Sequence, residues 1–301
     1  MSDRDLVGYG GAPPRILWPN GARVAVSVVV NFEEGAEAQV GDGDPISERV
    51  GEVLSVVPEG LRDQGQEQIF AYGMRVGLWR FLRALDETAT PATFFMCGRA
   101  AARVPNLARA VARKGHETAC HGWLWRTHAD YPDAATERAD LVRATEAIAE
   151  ATGAPPIGFF CRGSESPWTR PLLAELGYAY TSNAFDDDLP YRDASGLTVV
   201  PYSLDTNDMK FFHPNGFSRG CEMLDYVRDA LSQLLTEAAR GASSTLSLGF
   251  HLRITGRPAR FKAVTEILAH LSALDGQIWR ARRIDIARHF QTQTTQHGDP
   301  Q

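Results

Sequence analysis

Bulky apolar residues occupy every even position from Val24 to Phe32, and the run ends in Glu33-Glu34-Gly35. With a period of two, Val24, Val26, Val28, Val30 and Phe32 share one face, and Ala25, Ser27, Val29, Asn31 and Glu33 share the other. This predicts a strand with its bulky face under helices and its smaller, more polar face turned inward, ending in a carboxylate. The device recurs in Glu117-Thr118-Ala119-Cys120-His121. It recurs again from Thr245 to His251, where Leu246, Leu248 and Phe250 alternate with Thr245, Ser247, Gly249 and His251. A parallel α/β barrel assembles its active site from the C-terminal ends of different strands, so three strands with ionisable ends read as a site.

The rest of the chain alternates in the same way. Val76, Trp79, Leu82 and Leu85 recur at helical spacing between Gly73 and Asp86, and a strand is expected over Ala92 to Cys97. A short helix over Leu107 to Lys114 precedes the Glu117 to His121 strand. An amphipathic helix from about Asp133 to Thr152 stops at Gly153 and Pro155-Pro156. Strands are then expected at Gly158–Arg162, Ala179–Asn183, Leu197–Asp205, Thr245–His251 and Ile278–Arg282. Helices are expected at Thr169–Leu176, Cys221–Ala239 and Arg260–Ser272. The alternation predicts a single-domain α/β fold, a TIM-like barrel spanning residues 21–290. Residues 1–20, rich in Gly and Pro, read as an ordered arm, and residues 291–301 as a frayed polar tail. Residues 36–68 have little periodicity and read as an insertion, either an oligomer contact and partial lid or a plain surface loop.

Composition narrows the functional classes. The 301 residues suffice for one large barrel, and no apolar run is long enough to span a bilayer. A net charge of -6 without a basic cluster argues against nucleic acid or an anionic membrane as partner. The N-terminus has no basic region followed by an apolar one, so a cytoplasmic location is expected. Cys97, Cys120, Cys161 and Cys221 are scattered and read as small buried thiols. Asp186-Asp187-Asp188, before Pro190, reads as a solvated turn.

Five stretches carry a family resemblance: Asn31-Phe32-Glu33-Glu34-Gly35, Tyr72-Gly73-Met74-Arg75, His121-Gly122-Trp123-Leu124-Trp125, Leu204-Asp205-Thr206-Asn207-Asp208-Met209, and His251-Leu252-Arg253 with Gly256-Arg257-Pro258. In this order they resemble the polysaccharide deacetylase superfamily, and within it the metal-independent bacterial allantoinases. The resemblance implies a distorted (β/α)7 barrel and a hydrolase of non-peptide carbon–nitrogen bonds. In the family's first motif an Asp acts as general base and the next Asp as metal ligand; Glu33 and Glu34 stand at those positions. His121 matches the first histidine of a His-x-x-x-His metal motif, and Trp125 replaces the second. An arginine that fixes the base is matched by Arg162. The Asp–His pair that protonates the leaving nitrogen is matched by Asp205 or Asp208 with His251.

Amide hydrolysis needs water deprotonated as it attacks and the amine protonated as it leaves, and a carboxylate and an imidazole can divide those tasks. The expected catalytic set is therefore Glu33, His251, Asp205 and Arg162, with Glu34, His121, Trp125, Arg75 and Asp208 as substrate-binding residues. Arg162 and Arg75 are the candidates to polarise the carbonyl. Glu34 has a second reading, a structural bond to the loop that follows it. Trp123, Trp125 and Trp168 line the pocket or fill the core. No metal is expected, because an indole has no lone pair to offer and only Glu34 and His121 would remain as ligands for zinc or another divalent ion. His128 lies seven residues after His121, about two helical turns away, too far for joint ligation unless the loop folds back. The expected substrate is a small cyclic amide or ureide such as allantoin, with N-deacetylation of a sugar or peptidoglycan, or a non-catalytic binding barrel, as alternatives. A homo-oligomer is expected.

Overall fold

The computed structural model describes residues 4–297. Its central strand, β1 (Val24–Phe32), is buried along its whole length. It pairs in parallel with β2 (Ala92–Met96), β8 (Ser244–His251) and, at its lower end, β9 (Ile278–Arg280). From β2 the sheet curls onward through β3 (Glu117–Cys120), β4 (Gly158–Phe159), β5 (Tyr180–Thr181) and β7 (Thr198–Val199), all parallel. The short β6 (Tyr191–Arg192) forms an antiparallel edge on β7. Helices cover the outside of this curled sheet, and the fold is the expected distorted (β/α)7 barrel in one domain.

The two faces of β1 separate as its alternation requires. Val24, Val26, Val28, Val30 and Phe32 pack in the layer between sheet and helices with Leu78, Phe81 and Leu82 of α2 (Leu78–Glu87). Ala25 and Val29 belong to a second cluster inside the barrel, with Phe95, Ala119, Phe160 and Tyr180. The arm closes the lower end: Trp18 is buried and donates its indole N–H to the Ser244 carbonyl at 3.2 Å.

Several elements differ from the periodicity reading, and side-chain hydrogen bonds explain most of the differences. β4 stops at Phe159 because the Asn183 carboxamide clamps Cys161, accepting from its N–H at 2.7 Å and donating to its carbonyl at 2.9 Å. The strand expected over Leu197–Asp205 shrinks to the two residues of β7. Beyond Pro201 the chain closes the barrel against β8 through hydroxyls: Ser203 N donates to Ser247 Oγ at 2.7 Å and Thr206 Oγ1 to the Ser247 carbonyl at 2.6 Å. The helix expected from Gly73 is the second half of a longer run. It begins at α1 (Gln64–Tyr72), capped by Asp63, and passes through a π-turn at Gly73–Gly77 into α2. The 36–68 insertion is therefore irregular only up to Asp63. The tail is helical to the end of the described residues, since a helix spans Arg283–His297, and residues 298–301 lie outside the described residues. Three cysteines are buried, and Cys221 is exposed at the start of the helix Gly220–Ala239.

Inside the lower barrel, fully buried Arg283 replaces an apolar plug. Its Nε donates to Ser182 Oγ at 2.7 Å, its Nη1 to Ser27 Oγ at 3.0 Å, and its Nη2 to the Pro201 carbonyl at 2.6 Å and to the Val200 carbonyl. All three guanidinium nitrogens are satisfied, and they tie β1, β5 and the closing segment together. Arg283→Leu would leave two carbonyls and two hydroxyls buried without that donor. The expected loss is about 3–5 kcal/mol of unfolding free energy, read from a chemical denaturation midpoint.

Candidate active site

Glu33 follows β1 on its inward face and is completely buried. Arg253 Nη1 donates to Glu33 Oε1, and the His251 Nε2 lies 3.7 Å from the same oxygen. The His121 Nε2 lies 3.4 Å from Glu33 Oε2. Strand ends β1, β3 and β8 thus converge on one carboxylate, as their alternation requires. His121 is oriented by its other nitrogen, Nδ1, which donates to the Phe160 carbonyl; a carbonyl can only accept, so that nitrogen carries the proton. The imidazole stacks on Phe160 at 5.3 Å between centroids, and Phe160 in turn lies flat on Tyr202 at 4.7 Å.

Asp208 is the partner of His251. Its Oδ1 accepts from His251 Nδ1 at 2.6 Å, while its Oδ2 accepts from the His251 backbone N–H at 2.8 Å and from Thr255 Oγ1 at 2.6 Å. Register decides between the two aspartates. Asn207 bridges Gly249 in parallel, which brings the next residue level with the end of β8. Asp205 lies lower on that segment, is exposed, and lines a shallow surface cavity with Asp186, Asp187 and Asp188. It does not meet His251, so of the two aspartates expected as the partner of His251 the structure pairs Asp208 with it and corrects the place given to Asp205.

The arginines are reassigned as well. Arg162 is turned toward the insertion by the bend after β4: its Nη1 donates to Glu48 at 2.6 Å, and its guanidinium lies 3.8 Å over the Trp125 ring. Its carboxylate partner is Glu48, not Glu33. Arg75 projects from the π-turn and is exposed. The arginine that grips Glu33 is Arg253, two residues beyond His251, buried against the rings of Phe70 at 4.3 Å and Trp125 at 4.6 Å. The string His251-Leu252-Arg253 put this arginine next to the candidate acid, but it lies in the turn that follows β8, where strand alternation no longer gives the direction of a side chain.

Glu34 is also buried, and its Oε1 accepts from the Arg253 backbone N–H at 2.9 Å. The approach depends on glycine. A Cβ on Gly73 of the π-turn would lie 2.5 Å from Glu34 Oε1 and 2.9 Å from Arg253 N. A π-turn beside a charged cluster is a common functional device.

Environment separates the two adjacent carboxylates. Burial alone would raise Glu33, but Arg253, His251 and His121 outweigh it and hold the carboxyl well below the usual range. Burial raises Glu34 to about 7; Arg253 opposes the rise and the neighbouring Glu33 charge adds to it. Burial would lower His251, yet the charges of Glu33 and Asp208 overcome that and raise it, favouring the imidazolium. An ionised carboxylate thus faces an imidazole biased toward carrying a proton, the division of labour that acid–base chemistry uses.

The donor set does not suit a metal. Trp125 cannot ligate through its indole, and its buried ring packs against Phe70 at 5.8 Å. The cation beside Glu33 and Glu34 is the Arg253 guanidinium, whose Nη1 lies 3.6 Å from Glu34 Oε1. His128 is taken up by Glu137 of the helix Ala134–Thr152 at 2.8 Å. Among the described residues, no group of three or more His, Cys, Asp or Glu side chains is placed to hold a metal ion.

The curled parallel sheet and the charged cluster at its C-terminal rim define a barrel of the deacetylase class. Residues 67–181 match the family model for polysaccharide deacetylases. A Schizosaccharomyces pombe protein named "Putative polysaccharide deacetylase" is 32% identical over 310 residues, covering 95% of this chain and 96% of that protein. The chain belongs to the polysaccharide deacetylase family. It is similar to the crystal structure of a probable polysaccharide deacetylase from Pseudomonas aeruginosa PAO1, with a TM-score of 0.91 and 39% identity over 97% of this chain and 98% of that one. It is equally similar to the crystal structure of PuuE allantoinase, with a TM-score of 0.91 and 38% identity over 97% and 98% of the two chains.

The Asp208 charge is one of the two that raise His251, so Asp208→Asn should lower the imidazole pKa. The measurement is the His251 ring resonance in an NMR pH titration; an unchanged midpoint would remove Asp208 from the electrostatics of the site.

Proposed function

We propose that this protein hydrolyses a non-peptide carbon–nitrogen bond, opening a cyclic amide or ureide such as allantoin without a bound metal. The observation that carries this reading is the buried triad Glu33, Arg253 and His251, where an ionised carboxylate meets an imidazole biased toward its charged form and a guanidinium. Similarity to PuuE allantoinase over nearly the whole chain supports it. Glu33 serves as general base and takes a proton from the attacking water. His251 serves as general acid: Asp208 holds its Nδ1, leaving Nε2–H to protonate the departing nitrogen. His121, with its own Nδ1 tied to the Phe160 carbonyl, presents Nε2 to the substrate beside Glu33. A ring suits this site, since its planar amide is already restrained before it enters.

The test is hydrolysis of allantoin and hydantoin, set against N-acetylglucosamine oligomers, each with and without exhaustive chelation. Ring opening that survives chelation is the expected result. Chelator-sensitive release of acetate from the oligomers instead would make the protein a metal-dependent N-deacetylase. Glu33→Gln and His251→Ala are each expected to lower kcat by about 10²-fold or more. Because the acid form of His251 is required, kcat/KM should fall on the alkaline side with a midpoint above the ordinary histidine value of 6.5.

We also propose that the protein works as a homo-oligomer assembled through the 36–68 insertion. Val53, Leu54 and Val56 are 63%, 81% and 94% exposed there, an apolar group that a second subunit would cover. Light scattering at micromolar concentration should give a multiple of the chain mass, and Leu54→Asp with Val56→Asp should reduce it; a native monomer refutes the assembly.

A further inference from the structure

Arg253 and Arg283 are both 1% exposed, yet they differ in how they are satisfied. Arg283 bonds through all three guanidinium nitrogens. Arg253 bonds only through Nη1, to Glu33, while its Nε and Nη2 are buried without a partner. Those two nitrogens form one edge of the guanidinium plane and present side-by-side N–H donors. Leaving charged donors buried and unpaired is expensive, and the neighbouring rings of Phe70 at 4.3 Å and Trp125 at 4.6 Å offer the guanidinium no hydrogen-bond acceptor oxygen. Two carboxylate oxygens in the same cluster also make no hydrogen bond, Glu33 Oε2, which has His121 Nε2 at 3.4 Å, and Glu34 Oε2. Unsatisfied donors and acceptors on side chains already in contact mark a place prepared for a polar ligand.

We infer that the Nε–Nη2 edge of Arg253 grips the oxygen of the scissile carbonyl and carries the negative charge that develops on it. The inference rests on the ring-opening reading above and assigns to Arg253 the polarising task expected of Arg162 or Arg75. One guanidinium then serves both partners of the reaction, Nη1 holding the base and the opposite edge holding the electrophile. Water adds to the carbonyl carbon, its proton passing to Glu33 and the C=O π pair moving to the oxygen on the Arg253 edge. As that pair returns, the C–N bond breaks, its electrons stay on nitrogen, and His251 Nε2 supplies the proton. The acid so formed loses its remaining proton to solvent, the proton on Glu33 passes to His251 Nε2 and restores both groups, and the product carboxylate has two oxygens that match the same pair of donors. The chemical class of ligand is therefore a planar amide before reaction and a ureido or amido carboxylate after it.

Arg253→Lys separates the two tasks, since lysine keeps a positive charge beside Glu33 but has no planar pair of donors. With hydantoin as substrate, kcat should fall about 10²-fold or more. Affinity for hydantoate, the ring-opened product, should fall about 10–100-fold by isothermal titration calorimetry. In the native protein the Arg253 Nε–H resonance should move on addition of hydantoate, a reading that does not depend on how the variant folds. Native-like kcat and hydantoate affinity in Arg253→Lys, or an unmoved Nε–H resonance with hydantoate bound, would overturn the inference and leave the ring-opening reading standing. Arg253-dependent hydantoate binding by a native enzyme that opens no cyclic amide would overturn the ring-opening reading and keep the carbonyl grip. Neither hydrolysis nor binding would overturn both.

Discussion

The ion pair between Glu33 and Arg253 is the constraint on which the upper barrel depends. Both groups are taken wholly out of water, which is costly for each alone, and removing either would leave the other charged and buried. The pair therefore fixes the relative height of β1 and β8, the two strands that share the longest register in the sheet. Everything around it is arranged in consequence. Glu34 takes the backbone N–H of Arg253, Gly73 and Gly77 let the helical run press against that corner, and Asp208 and Thr255 tie the histidine end of β8 in place.

The same pair explains how tryptophan can stand at position 125. A guanidinium is planar and weakly hydrated, and it is stable between aromatic faces where an ammonium would be less so. Phe70 and Trp125 supply those faces for Arg253, and Trp125 meets a second guanidinium, that of Arg162. Trp125 thus offers no ligand for a metal, but it does offer an aromatic face to two guanidinium cations.

Much of this was legible in the chain, for a definite reason. The strands that carry Glu33, His121 and His251 alternate cleanly because one face meets helices and the other meets the barrel interior, so periodicity alone places those three ends. The family resemblance and the barrel are likewise recovered from the order of a few short strings. What escaped were contacts set by register and by side chains acting as backbone. Asp205 and Asp208 are three residues apart, and only the Asn207–Gly249 bridge decides which reaches His251. Arg162 was displaced by the Asn183 clamp on Cys161, a long-range contact that no local pattern announces. Arg253 sat in plain view beside His251, but it follows the end of its strand, where alternation stops being a guide. The helix start at Gln64 was hidden because its polar first turn is recognised by the Asp63 cap rather than by apolar spacing.

The depth of the cluster has a consequence for time rather than for chemistry. Glu33, His121, Trp125, His251 and Arg253 are all at most 5% exposed, so nothing larger than a fluctuation lets a solute touch them in this conformation. Any molecule that reaches Glu33 must first displace part of its surroundings. The segment above is held by ion pairs rather than by a sheet, with Glu48 on Arg162, Asp44 on Arg99 and Glu52 on Arg260. Those pairs are partly exposed and therefore individually weak and screened by salt. Raising the ionic strength should therefore loosen that segment, so that how readily the interior opens is set by the surface pairs and not by the buried cluster itself.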